Sequence, residues 1–214
     1  MPLEVELKFA ADGTAPLEQL STAPVLGPAI LGPATHAEEL DRYLDTAGGR
    51  LATARWACRL RTRGAATKVS LKGPAEAGSG TGALHRRPEL EGPARATLDV
   101  AAWPPSAARD HLDALRAGDA LIERLALAQD RTERAVLIDG ARIGTLSLDE
   151  VRVQRDGTTF GRLWIVELEL LPGADETALG ALAAALAAVD GLSTDPTTKL
   201  ERALEMLVGP RARG

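Results

Sequence analysis

The chain has 214 residues, of which 45% are hydrophobic and only 3% aromatic, so its core must be built from aliphatic side chains. Its net charge of −5 disfavours nucleic acid and anionic membranes as partners, because both bind basic surfaces. We therefore expect any anion-binding site to be a small cluster of basic residues on a protein that is acidic as a whole.

The length suits one domain, which we place at residues 1–208, with a solvated tail over residues 209–214. Cys58 is the single cysteine, which excludes an internal disulfide. No N-terminal hydrophobic run indicates a signal peptide or a membrane span. We therefore expect a cytoplasmic protein, and its oligomeric state stays open.

Alternating and apolar runs predict a protein dominated by β-strands. In chain order, the strands are expected near residues 3–9, 37–45, 56–63, 67–73, 84–91, 122–138, 142–154 and 160–170. Helical periodicity predicts helices near residues 105–117, 175–189 and 197–207. For the second helix, Asp175 or Thr177 is the expected N-cap residue and Gly191 marks the expected end.

Turn residues organise the second half of the chain. The dipeptides Asp139-Gly140 and Asp156-Gly157 lie between strand-like runs and predict β-hairpins, so this half should be an antiparallel meander. The Gly-, Ala- and Ser-rich segment 73–82 predicts a mobile loop.

Charged and apolar residues alternate in the first predicted strand. Because successive side chains of a strand point to opposite faces, Glu4, Glu6 and Lys8 share one face. The same alternation returns in three later segments, at residues 59–63, 87–91 and 166–170. A flat sheet would show these charges to water, as an ordinary half-solvated strand does, whereas a closed barrel would gather them into one lumen.

Carboxylates are dense on these faces. The set comprises Glu4, Glu6, Asp149, Glu167 and Glu169. Oxygen ligands of this density suit a hard cation such as Mg²⁺ or Mn²⁺ and do not suit zinc, whose usual Cys and His ligands lack the required spacing here. Candidate cationic partners are Lys8, Arg59, Arg61, Lys72, Arg131 and Lys199. A lumen that holds both sets is sensible if it binds metal and a polyanion together.

The segment Glu4-Val5-Glu6-Leu7-Lys8 resembles the N-terminal ExExK signature of the CYTH domain, the fold of the triphosphate tunnel metalloenzymes. The resemblance continues in the family's order through Tyr43-Leu44-Asp45-Thr46, Cys58-Arg59-Leu60-Arg61, Leu71-Lys72-Gly73-Pro74, the RxExE-like element from Arg87 to Glu91, Arg131 with Arg134, Leu146 to Asp149, the pair Glu167 and Glu169, and Lys199. ExExK alone is weak evidence, whereas eight further elements in the right order make the resemblance specific.

The resemblance implies a mainly β (α+β) fold, in which a closed eight-stranded antiparallel β-barrel forms a tunnel and helices pack outside. Closure of the charged faces requires the same arrangement. The apolar residues on the opposite face should then be buried between the barrel wall and the helices, namely Val5, Leu7, Leu60, Val166, Leu168 and Leu170.

The resemblance also implies residue roles. Triphosphate ligands would be Lys8, Arg59, Arg61, Lys72, Arg131, Arg134 and Lys199, and the main ligand between Arg131 and Arg134 stays open. Metal ligands would be Glu4, Glu6, Asp149, Glu167 and Glu169, with Glu4, Glu6, Glu169 and Lys8 in catalytic roles. The roles of Glu89 and Glu91 are less defined.

These residues favour metal-dependent hydrolysis of a triphosphate, most simply inorganic triphosphate. A thiamine triphosphatase needs an aromatic platform for its organic cation, and Trp56 has the opposite strand parity to Arg59 and Arg61, so it should point away from the lumen. A class IV adenylyl cyclase needs a nucleoside pocket, for which the sequence shows no sign. A module that binds polyphosphate without cleaving it is disfavoured, because anion binding gains nothing from five acids.

Overall fold

The computed structural model describes residues 2–75 and 82–208. Residues 76–81 of the predicted loop, and the whole predicted tail over 209–214, lie outside the described residues. In the described part, no helix is both long and apolar enough to cross a membrane.

The structure is built mainly from strands. They are β1 (Leu3–Ala11), β2 (Val25–Leu26), β3 (Ala29–Leu31), β4 (Thr35–Thr46), β5 (Ala57–Arg63), β6 (Ala66–Lys72), β7 (Leu84–Pro93), β8 (Leu121–Ile138), β9 (Ala141–Arg155), β10 (Thr158–Leu170) and β11 (Leu192–Thr194). The helices are α1 (Ala15–Thr22), α2 (Arg50–Thr53), α3 (Ala107–Arg116), α4 (Leu179–Ala187) and α5 (Lys199–Val208), with a 3₁₀ turn at Val100–Ala102.

Eight of the strands close into an antiparallel barrel in the order β8-β4-β5-β6-β7-β1-β10-β9, and β9 pairs back onto β8. The β2–β3 hairpin adds to β8 beyond the ring, and β11 pairs with β1. The predicted closed barrel is therefore confirmed. Each long strand predicted from alternation is present, and the region 122–138 is one continuous strand.

The two predicted Asp-Gly turns form hairpins between β8 and β9 and between β9 and β10. Asp139 and Gly140 have φ angles of 50° and 80°, and Asp156 and Gly157 have φ angles of 50° and 75°. Both central residues thus adopt left-handed conformations, as a two-residue turn that follows the twist of the strands requires.

The outward apolar face of the barrel forms the core with the surrounding helices. Val5, Leu7, Val166, Leu168 and Leu170 pack in one cluster with residues of α1 and α4, and Leu60 packs in a second cluster with α3. All six are at most 9% exposed. Their predicted burial between the barrel wall and the helices is confirmed.

One end of the lumen is apolar, because α5 packs against inward-facing side chains of the longest strands. Leu127, Val151 and Ile165 lie on the same strand faces as the charged lumen residues further along, and they form a cluster with Ala203 of α5. This helix therefore closes one end of the barrel, which the expectation of helices outside did not include. The long strands extend beyond the charged region, and their inward apolar ends need a cover.

Helix boundaries differ from the expectation at the second predicted helix. α4 begins after Ala178 without a side-chain cap, so the N-cap prediction of Asp175 or Thr177 is wrong. The Asp175 carboxylate instead accepts hydrogen bonds from the backbone N–H and hydroxyl of Thr177. The helix ends at Ala187, four residues before Gly191.

Arg134 lies outside the tunnel, which corrects its prediction as a phosphate ligand. It follows Arg131 by three residues on β8, so its side chain points to the opposite face. Its guanidinium donates hydrogen bonds of 2.6–3.1 Å to four backbone carbonyls, those of Leu20, Ala23, Leu31 and Gly32. Arg134 thereby ties the end of α1 and the end of β3 to the barrel wall.

Replacing Arg134 with Ala should lower the free energy of unfolding by about 3 kcal/mol, because it leaves buried carbonyls without donors. Urea denaturation followed by circular dichroism measures this change. Arg142→Ala is the matched control, since Arg142 is exposed and its hydrogen bonds to described residues are the local ones to Gly144 and Thr145. Equal stability of the two variants would contradict the structural role.

Candidate active site

The charged part of the lumen is a cavity of about 340 Å³, here called the tunnel. It is lined by alternate residues of seven barrel strands, and all of its lining residues except Ala66 are charged. The charged residues are Glu4, Glu6, Glu39, Arg59, Arg61, Arg63, Lys68, Lys72, Glu89, Glu91, Arg131, Glu133, Glu167 and Glu169. The strand alternation seen in the sequence therefore produces one shared charged surface.

Three carboxylates converge at one place in the tunnel. Glu4, Glu89 and Glu169 come from the adjacent strands β1, β7 and β10, and one oxygen atom from each lies within 4.8 Å of the others. The oxygen ligands of one octahedral Mg²⁺ ion lie at most about 4.2 Å apart, so small side-chain movements suffice to bind one ion. The donor set fits a hard divalent cation.

The pKa values of these three carboxyl groups are shifted by burial and by the charges of their neighbours. Burial raises the pKa of Glu169 to about 7, and the neighbouring Glu4 and Glu89 carboxylates add to the rise against the opposing effect of Lys72. Burial also raises the pKa of Glu89, although Lys72 counteracts it. For Glu4 burial acts in the same direction, but the charges of Lys72 and Arg87 outweigh it and hold the pKa at about 2.

Two of the predicted metal ligands, Asp149 and Glu167, lie outside this carboxylate cluster and form ion pairs with Lys199 and Arg131. The Lys199 Nζ atom donates to Asp149 at 2.6 Å and to Glu167 at 2.7 Å. Arg131 binds both oxygens of Asp149, at 2.7 and 2.8 Å. Asp149 is fully buried, and Arg131 and Lys199 together lower its pKa against the effect of burial. The structure thus separates Asp149 and Glu167 from the carboxylate cluster.

The arginines of β5 differ in how many of their N–H donors have a hydrogen-bond partner. Arg61 makes two hydrogen bonds to Asp41, at 2.6 and 2.7 Å. Arg59 donates only to Ser70, at 3.3 Å, with Asp41 at 3.5 Å, and its buried Nε has no partner among the described residues. Arg63 is 42% exposed at the end of the tunnel and pairs with Glu133. Arg59 therefore has the most donor capacity left for an anion.

Lys8 and Lys72 have different kinds of hydrogen-bond partner, a backbone carbonyl for Lys8 and a carboxylate for Lys72. Lys8 is 1% exposed and donates to the backbone carbonyl of Thr197, just before α5. Burial lowers its pKa, while Glu167 and Glu6 oppose the shift. Lys72 binds Glu4 directly and lies 3.5 Å from Glu89, beside the carboxylate cluster.

Arg87 is a site residue that the sequence analysis did not assign. It donates to Glu4 at 2.8 Å and to Glu6 at 3.0 Å, so it holds both acids of the first strand. Arg87 alternates with Glu89 and Glu91 on β7, and this pattern in the sequence could have placed it on the same face as these two acids.

Two acids that line the tunnel, Glu39 and Glu133, were also missed, and so was the buried Asp41 that binds Arg61. Glu39 and Asp41 lie on β4, where Glu38 and Arg42 put charges on the outer face as well. The alternation that marks β1 is therefore hidden in this strand.

The arrangement is similar to known proteins in family and in fold. The family model of the CYTH domain matches residues 2–204. The solved structures that share the fold include the following three. A Hippeastrum protein described as a candidate adenylyl cyclase with a dominant triphosphatase activity is 20% identical, with a TM-score of 0.67 over 92% of this chain and 93% of that one. A candidate adenylate cyclase from Bacillus halodurans is 19% identical, with a TM-score of 0.60 over 94% and 98%. The Mimivirus capping enzyme triphosphatase is 11% identical, with a TM-score of 0.51 over 89% of each chain. The chain matches no curated protein sequence.

Divalent metal binding should depend on pH through Glu169. Because its pKa is raised to about 7, a cation must displace a proton at lower pH, so affinity should fall about tenfold per pH unit below 7 and level off above it. Calorimetric titration with Mn²⁺ measures both affinity and proton release.

Glu169→Gln should weaken Mn²⁺ binding and remove this pH step. Glu38→Gln is the control, since Glu38 lies exposed on the outer face of the barrel. Mn²⁺ affinity that does not change between pH 6 and pH 8 in the unaltered protein would contradict the assignment of this cluster.

Proposed function

Since this chain belongs to the CYTH domain family, we propose that its tunnel binds a triphosphate and hydrolyses it with the help of a divalent cation. The observation that carries the proposal is the composition of the tunnel lining, which holds eight carboxylates and six cationic side chains. Inorganic triphosphate is the proposed substrate, because every residue that lines the tunnel except Ala66 is charged and none is aromatic.

The excess of carboxylates supports metal dependence. A polyanion entering a cavity with more acids than bases is repelled unless cations enter as well. A divalent cation held by Glu4, Glu89 and Glu169 would neutralise charge on the phosphoryl oxygens. Simple anion binding would be served better by the same tunnel without these acids, which disfavours a non-catalytic polyphosphate-binding module.

The cationic side chains supply the phosphate contacts. Arg59 offers an unused donor, and Lys72 lies beside the carboxylate cluster, so the two together bracket a position for the transferring phosphoryl group. Arg61, Arg131 and Lys199 already bind carboxylates and would have to share or exchange these partners when a phosphate enters. Glu6 lines the tunnel from β1, whereas Lys8 is buried beside it and donates to the Thr197 carbonyl, so a phosphate contact by Lys8 would require its side chain to move.

Triphosphate hydrolysis should require added Mg²⁺ or Mn²⁺ and stop in excess chelator. Glu169→Gln should reduce kcat by about a hundredfold or more, because it removes a ligand of the ion that stabilises the developing charge. Phosphate release from inorganic triphosphate measures both effects, with Glu38→Gln as the control. Full activity in excess chelator would exclude the metal-dependent reaction.

Position along β5 should determine how much each arginine matters. Arg59→Ala should lower kcat/KM for triphosphate by about thirtyfold, since a charge-assisted contact is worth about 2 kcal/mol. Arg63→Ala should lower it by only about twofold, because an exposed pair contributes little. Steady-state kinetics tests the contrast, and equal losses in the two variants would mean that the phosphate chain lies in a different register along the strand.

A further inference from the structure

One buried carboxylate anchors the turn that leads into α5. Asp195 is 1% exposed, and its Oδ1 atom accepts a hydrogen bond of 3.0 Å from the backbone N–H of Thr197 and a second one from the Thr197 hydroxyl. Arg202, in the first turns of α5, donates to both oxygens of Asp195, at 3.2 and 2.9 Å. Burial raises the pKa of Asp195, but the hydrogen bonds from Arg202 and Thr197 outweigh burial and lower it. The ionised carboxylate therefore ties the turn to the helix that follows it.

The backbone of the same turn is bound to the barrel wall. The N–H of Asp195 donates to the Lys8 carbonyl at 3.2 Å, and the Asp195 carbonyl accepts a hydrogen bond of 2.8 Å from Nε2 of the buried His85. The Lys8 ammonium group in turn donates to the Thr197 carbonyl. The turn is thereby fixed to β1 and β7, which are neighbouring strands of the ring.

Lys199 follows this turn as the first residue of α5. Its Nζ atom points back into the barrel, where it donates to Asp149 and Glu167. A cation at the start of a helix is opposed by the helix dipole, so the helix alone does not favour this placement. Two carboxylates near the helix start, those of Asp195 and Glu201, offset the unfavourable charge.

We propose that Asp195 is a positioning residue, which fixes the start of α5 and thereby holds the Nζ atom of Lys199 beside Glu167 of the tunnel. This inference rests on the proposed function, in which Lys199 binds a phosphate group. Asp195 is not among the described residues that line the tunnel, so it acts through Lys199. A lysine that is already held in place loses less conformational entropy when it binds an anion.

Asp195→Asn tests this role, because it keeps the shape of the side chain and removes its charge. The KM for inorganic triphosphate should rise about tenfold. The affinity for Mn²⁺ measured by calorimetry should stay the same, since the described hydrogen bonds of Asp195 involve no acid of the carboxylate cluster. A purely structural defect would lower the folded fraction, and hence kcat, without raising KM. Asp190→Asn is the matched control, because Asp190 is exposed between α4 and β11.

A second pair of variants keeps the test decisive if Asp195→Asn fails to fold, which circular dichroism would reveal. Thr197→Val removes the hydroxyl that donates to Asp195 and nearly keeps the side-chain shape, so it should raise KM about threefold. Thr197→Ser retains the hydroxyl and should retain the KM of the unaltered protein. Equal KM values in these two variants would overturn the inference.

Coupling between Asp195 and Lys199 shows whether one residue acts through the other. Lys199→Met should raise KM by itself, and Asp195→Asn should add no further rise in that background, because the cation that Asp195 positions is gone. Two rises that multiply in the double variant would mean that Asp195 acts independently of Lys199, and they would also overturn the inference.

Calorimetric titration with inorganic triphosphate separates this inference from the proposed function. If triphosphate binds without being hydrolysed and Asp195→Asn weakens the binding about tenfold, the proposed function fails and the positioning role stands. If triphosphate is hydrolysed and Asp195→Asn has the same KM as Asp190→Asn, the positioning role fails and the proposed function stands. If triphosphate is neither bound nor hydrolysed, both fail.

Discussion

The pairing of charges inside a closed barrel is the constraint on which the rest of this structure depends. Removing an ion from water costs several kcal/mol, so each buried charge must be held by an opposite charge or a hydrogen bond. Asp149 is held by Arg131 and Lys199, and Asp41 is held by Arg61 and Gln129. These pairs fix the side chains in place in the absence of a ligand, so an anion that enters the barrel has to compete with buried carboxylates for their cations.

The family resemblance predicted the closed barrel, and strand alternation predicted most of its lining, because alternation translates directly into inward and outward faces. Strand parity also determines the orientation of Arg134, whose role was predicted wrongly. Arg131 and Arg134 differ by an odd number of positions on a continuous strand, so they could not both face the lumen. A family resemblance between segments hides such a difference, whereas the geometry of a strand reveals it.

The grouping of the acids was beyond sequence reasoning, because it depends on the register between strands that are distant in the chain. Glu89 joins Glu4 and Glu169 since β1 lies between β7 and β10, with Glu4 opposite Arg87 and Glu6 opposite Glu169. The closure of one barrel end by α5 was hidden for a related reason. The inward residues Val151 and Val153 read as ordinary core positions until a helix is seen to cover them.

The position of β1 has a consequence for how the protein assembles. This strand pairs with β7 and β10 but with no strand that is its neighbour in sequence within the ring, whereas β8, β9 and β10 form successive hairpins. Contacts between distant segments bear the larger entropic cost of loop closure. Because β1 precedes the other barrel strands in this chain, it has to wait for residues near Glu169 before it can close the ring. Until then Glu4 stands apart from Glu169, so the carboxylate cluster and the closed ring form in the same step.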